Sequence, residues 1–157
     1  MTEERTHGRM RERDVGLGPW SKRAVRAVIE ALFARGGEGG EVIPPPAERV
    51  AWVTEDLDDF LARASGRTYV IILLSLVVVS LGAPLLSRRF VSLASLTPRE
   101  RVHVLERFER SGLAPALLAV KALLSVHYYE HPDAAREVGF DVACLITSGP
   151  PQRGAAP

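Results

Sequence analysis

From Thr68 to Ser87 the chain runs for twenty residues without a charge, and no other feature narrows its folding options as much. As a helix that run is about 30 Å long, the thickness of a bilayer's hydrocarbon core. Two environments suit it: a membrane, or the interior of a protein or complex. Ser75, Ser80, Gly82 and Pro84 make its last third a poorer membrane segment, and Arg63, Arg67, Arg88 and Arg89 put positive charge on both sides, so no orientation follows. A further helix is expected from about Pro115 to Tyr129, with Ala, Leu and Val on nearly every side and Lys121 as its only charge. A helix apolar all round is a buried helix. Two such helices in 157 residues present more greasy surface than the remaining amphipathic helices can cover, which points to a partner, lipid or protein.

The rest of the pattern is also helical. Ser21 suits an N-cap, Trp20 and Val25 occupy the positions of a hydrophobic staple, and Val25, Val28, Ile29 and Leu32 recur at helical spacing. The fold is expected to begin near Pro19, with a first helix of about 14 residues capped by Ser21. Gly36, Gly37, Gly39 and Gly40 end it as a hinge, and Pro44 to Pro46 form a stiff extended spacer. The next helix starts near Ala47. Its Val50, Val53, Leu57, Phe60 and Leu61 make one stripe, leaving Glu55, Asp56, Asp58 and Asp59 as the wet face.

Thr97-Pro98-Arg99-Glu100 is the sharpest local signal: an N-cap threonine, proline at the first helical position, and glutamate where a capping box needs it. In the helix that follows, Arg101 falls inside the apolar side formed by Val102, Val104, Leu105 and Phe108. It needs a carboxylate or carbonyl partner, or must snorkel along its stem, and the pattern alone favours snorkelling. His131-Pro132 closes the long apolar helix, and Pro132 to Val138 form a short further turn. The expected fold class is all-α, a small bundle of about five to six helices with one very apolar central or membrane-contacting helix. Its organisation is a flexible arm over residues 1–18, a helical accessory domain over 19–141 and a mostly disordered tail over 142–157.

A net charge of +1 and few aromatic residues argue against nucleic acid as a partner. Cys144 is the single cysteine, so no internal disulfide framework or thiolate cluster is possible. His127 and His131 stand at i, i+4, a spacing that can place two imidazoles on one metal, but two ligands do not make a site and no metal is expected. The chain shows no phosphate-cradling loop, dinucleotide fingerprint or nucleophile elbow, so catalysis by this chain alone is not expected. Its charged first residues lack the apolar stretch of a cleavable signal peptide, and Ser87-Arg88-Arg89-Phe90 resembles a twin-arginine signal only in letters.

An ordered set of pieces remains: an opening helix over Arg23 to Phe33, an apolar helix, Phe90 and Leu93, then Leu96-Thr97-Pro98-Arg99-Glu100-Arg101 followed by Leu105. Lys121, Tyr128-Tyr129, Pro132 and Val138-Gly139-Phe140-Asp141 complete it. Over roughly three quarters of the chain this order resembles the small helical subunit 3 of gluconate 2-dehydrogenase-type enzymes, and equally the helical N-terminal region of long-chain alcohol oxidases. The resemblance implies a noncatalytic accessory subunit of a large flavoprotein of the glucose-methanol-choline oxidoreductase type. FAD would then belong to the partner, with no cofactor in this chain. It also implies partner-interface or structural roles for Phe90, Leu93, Arg101, Lys121, Tyr128, Tyr129, Pro132 and Phe140. Many such subunits carry a twin-arginine leader. This chain shows none, and its apolar run at 68–87 looks closer to the alcohol-oxidase type, so a membrane-associated complex on the cytoplasmic side is expected. The alternative is a single-pass membrane protein with a scaffolding or regulatory role.

Overall fold

The computed structural model describes residues 16–87 and 91–140. They form a mostly helical bundle of α1 (Pro19–Leu32), α2 (Ala47–Arg63), α3 (Gly66–Ser87), α4 (Pro98–Glu109), α5 (Ala114–Glu130) and α6 (Pro132–Glu137). Most of the expected arm, the expected tail with Cys144, and Phe90 lie outside the described residues. At the start, Leu17 is already buried and its N–H donates to the Asp58 carboxylate, so the packed structure begins ahead of Pro19.

Helix α1 starts at Pro19 with Gly18 at the cap position. Proline presets the helical φ and lacks an N–H that the first turn would leave unpaired anyway. The helix therefore begins two residues before the expected cap, Ser21 becomes a buried first-turn residue, and Trp20 stays exposed instead of stapling onto Val25. The glycines after α1 do not form a simple hinge either. They close a small antiparallel ribbon in which β1 (Arg35–Gly36) pairs with β2 (Val42–Ile43). Gly39 and Gly40 sit at φ 71° and 81°, a region L side chains rarely adopt, so glycine is required there.

Helix α3 packs against α1, α2, α4 and α5 and is the hub of the bundle. Its Ile72, Leu76 and Val79 enter the core beside Val28 and Ile29 of α1, Phe108 of α4 and Leu117 of α5. The transmembrane and single-pass readings are corrected here: among the described residues no helix is long and apolar enough to cross a membrane. A side of α3 that a bilayer would have covered with lipid is instead covered by neighbouring helices, and Ser75 and Ser80 are buried among them. The other expectation for the apolar helices also changes. Neither α3 nor α5 is buried all round; each keeps one side outside.

Gly82 explains how closely α3 and α4 approach. A β-carbon there would lie 2.4 Å from Cε2 of Phe108, a side chain with no exposure. Gly82→Ala should therefore cost about 1 kcal/mol net, because an overpacking penalty of roughly 1–3 kcal/mol outweighs a helix-propensity gain of about 1 kcal/mol. Urea unfolding tests this, and a stabilised variant would mean that the Phe108 ring yields freely.

The caps of α4 and α6 follow local chemistry. Thr97 Oγ1 accepts from the Glu100 N–H at 3.4 Å while Glu100 Oε2 accepts from the Thr97 N–H at 3.0 Å, the expected capping box. Beyond α6, Gly139 at φ 78° lets the Phe140 N–H reach the Ala135 carbonyl at 2.9 Å and the Gly139 N–H reach Arg136 at 3.0 Å, a Schellman close.

Candidate interaction surface

The uncharged run of α3, which follows Arg67, leaves a stripe in solvent. Val70, Ile71, Leu74, Leu81 and Leu85 are 49%, 51%, 58%, 67% and 76% exposed. Their spacing confines them to about 100° of the helical wheel and spreads them over roughly 22 Å of helix. On α5, which packs beside α3, Leu118 and Val126 are likewise exposed and lie on one face at i, i+8. Large apolar side chains aligned over such a length mark a surface made to be covered.

The residues singled out by the resemblance divide between the inside and the outside. Leu93 is fully buried in the core, and Tyr128 is buried as well. Tyr129 and Phe140 are about half exposed and, with Val126 and Val138, line an apolar hollow of about 360 Å³. Pro132 opens α6 and faces solvent. Lys121 is exposed, its Nζ 2.8 Å from Glu109 Oε1, at the rim of a second hollow walled by Leu117 and Leu118. The outer set is therefore Lys121, Tyr129, Pro132 and Phe140.

Arg101 does not snorkel. Its guanidinium pairs with Glu30 on α1, and its Nε and Nη2 donate to the carbonyls of Leu93 and Ala94 at 3.1 and 2.8 Å. It thus ties the short 3-10 turn Leu93–Ser95 to α1 and α4. A second clamp has no counterpart among the sequence expectations. Arg49, 5% exposed at the margin of the apolar stripe of α2, makes a bidentate pair with Glu137 at 2.9 Å and donates to the Tyr128 hydroxyl at 2.9 Å. The Tyr128 ring stacks on Phe33 with centroids 3.7 Å apart, and Tyr129 stands edge-on to both. The Arg49 hydrogen bonds and charge, reinforced by Arg35, hold the Glu137 carboxyl below the ordinary carboxylate value, and Glu137 in turn pushes the Arg49 guanidinium up. A cation beside an apolar stripe was the sole sequence signal for this clamp.

The acidic face of α2 is not uniformly wet. Asp58 pairs with Lys22 at 2.5 Å, and Asp56 Oδ2 lies 2.6 Å from Nδ1 of the buried His127. His127 and His131 are not brought onto a common point: His131 Nδ1 accepts from the Asp133 N–H and its ring meets Trp52 edge-on. Among the described residues Asp56, His127 and Glu130 are instead the group close enough to share a cation, with His127 Nδ1 2.6 Å from Asp56 Oδ2 and 3.7 Å from Glu130 Oε2.

The chain matches no protein-family model, no curated protein and no solved structure. The class defined by the fold is a small helical bundle with an uncovered apolar face.

Proposed function

We propose that this chain is a noncatalytic accessory subunit that stabilises or assembles with a large FAD-dependent dehydrogenase or oxidase of the glucose-methanol-choline type. The observation that carries the reading is the exposed apolar stripe of α3, which costs solubility unless a partner covers it. The ordered motif set that resembles the subunit 3 family adds the kind of partner. FAD resides in that partner, and this chain supplies packing surface rather than chemistry.

The test is co-expression with a large flavoprotein of the glucose-methanol-choline type, followed by affinity capture of the small chain. The expected result is co-purification of a flavin-absorbing complex. Leu74→Lys with Leu81→Lys should abolish capture while changing the unfolding free energy by less than about 0.5 kcal/mol per site, because both positions face solvent. A wild-type chain that stays monodisperse and captures no flavoprotein would sink the proposal. A second reading, peripheral attachment on the cytoplasmic side of a membrane, rests on the same stripe, which carries no charge from Val70 to Leu85. Flotation of the wild type but not the double variant with liposomes would favour it.

A further inference from the structure

Where α2 and α5 pack together, Asp56, His127 and Glu130 each bring one ligand atom to a common point, all three within 4.8 Å of one another. His127 Nδ1 carries one hydrogen at most, and Asp56 Oδ2 at 2.6 Å takes it. Glu130 Oε2, 3.7 Å from the same nitrogen, is beyond hydrogen-bond reach. It is held beside an atom to which it makes no bond. Among the described residues neither carboxylate pairs with a lysine or an arginine, so two negative charges face one imidazole. The cluster also lies on the last turn of α5, where the free backbone carbonyls add negative potential.

The imidazole is fixed in place: His127 is 6% exposed, and the Phe60 ring packs against it with centroids 5.2 Å apart. The carboxylates are open, with side chains 33% exposed at Asp56 and 57% at Glu130. A cation captured by them from solvent needs no cavity to reach Nδ1, because they stand directly in front of that atom. Ligand atoms around a tetrahedral zinc, at bonds of about 2.0–2.1 Å, lie roughly 3.3–3.4 Å apart. The two Nδ1 distances, 2.6 and 3.7 Å, fall on either side of that spacing. Carboxylate shifts of less than about 1 Å would bring both to it. An imidazole nitrogen among the donors favours a transition metal over magnesium or calcium, which ask for six or more oxygens. We propose that Asp56, His127 and Glu130 bind a divalent transition-metal ion of the zinc type, which displaces the Nδ1 hydrogen to solvent and pins α2 to α5, with water completing its shell. The site does not rest on the accessory-subunit reading, since all three ligands belong to this chain.

The full chain, without a polyhistidine tag and stripped of metal by a chelator, is titrated with zinc chloride and with magnesium chloride by isothermal titration calorimetry. One equivalent of zinc should bind, far more tightly than magnesium, and should raise the melting temperature, because only the folded chain holds the three donors together. Asp56→Asn and Glu130→Gln keep the side-chain shape and should each weaken zinc binding by roughly tenfold or more. His131→Ala should leave it unchanged, since the His131 Nδ1 is engaged by the Asp133 N–H. Location has its own readout. In Trp20→Phe the sole tryptophan is Trp52, one helical turn ahead of Asp56, and cobalt(II) should quench its emission saturably. Absence of zinc binding, equal affinity for magnesium, or emission that cobalt leaves unchanged overturns the proposal. So does zinc binding that survives both carboxylate substitutions or is abolished by His131→Ala. Should Asp56→Asn fail to fold, Glu130→Gln at the exposed end of α5 decides alone.

Discussion

Arg101→Ala lowers the stability of the fold by about 3 kcal/mol. The substitution strips two backbone carbonyls, Leu93 and Ala94, of their donor in a part-buried site and leaves Glu30 without its cation. Each stranded buried acceptor costs about 1–3 kcal/mol, whereas Glu30, with a third of its side chain exposed, recovers much of its hydration and adds less. The full cost of breaking a deeply buried pair, about 3–5 kcal/mol, is therefore an upper bound. For a domain of this size the melting temperature should fall by roughly 10 °C, at about 2–4 °C per kcal/mol. Arg101→Lys should recover only part of the loss, since a single ammonium cannot hold two carbonyls and a carboxylate in the same fork. Thermal unfolding followed by circular dichroism decides the matter. A variant melting with the wild type would return Arg101 to the snorkelling account.

Arg49→Met is the second large effect, and its signature is a pH dependence. At neutral pH the variant should lose about 2 kcal/mol, mainly the charge-assisted bond to Tyr128 and the stem packing, with the partly exposed Glu137 discounted for solvent screening. The Glu137 carboxyl is held below its ordinary value of 4.5 in the folded protein, first by its hydrogen bonds to Arg49. A carboxyl whose folded pKa is depressed contributes stability that is complete above the unfolded value and is lost as pH falls through the folded value. The gap between wild type and Arg49→Met should therefore stay constant above the ordinary carboxylate range and narrow below 4.5. Glu137→Gln should flatten the same acid limb. A gap unchanged into strong acid would show that Glu137 contributes nothing through this clamp.

Local signals are legible in the sequence where the physics is local. The capping box at Thr97 and Glu100 needs only residues three apart, and it stands as expected. The stripe of α2 is buried at Val50, Val53, Leu57 and Leu61, while Phe60 turns outward against the ring of His127. The start of α1 differs from the serine-cap expectation because the proline rule and the serine cap rule compete over three residues, and the backbone takes the proline. The ribbon over residues 35–43 has no sequence signature, since strands of two residues leave no alternation to detect. Among the interaction candidates, composition could not separate Tyr128 from Tyr129. Adjacent helical residues point about 100° apart, and here one goes under Phe33 while the other remains half in solvent.

What the amino-acid sequence determined alone is the number and type of the helices, the chemistry of their ends, and the surplus of apolar side chains over what so short a chain can bury. These depend on neighbours within a turn or on totals. Only the tertiary structure decided which side of α3 stays uncovered and which charges meet: Arg101 with Glu30 across 71 positions, Arg49 with Glu137 across 88. Periodicity says that a helix has an apolar side, but a helix greasy on every side carries no phase, so the packing of α1, α4 and α5 selects the buried one. Ion pairing is set by distance in space, and helical spacing holds no record of which distant turn of chain will come to lie alongside.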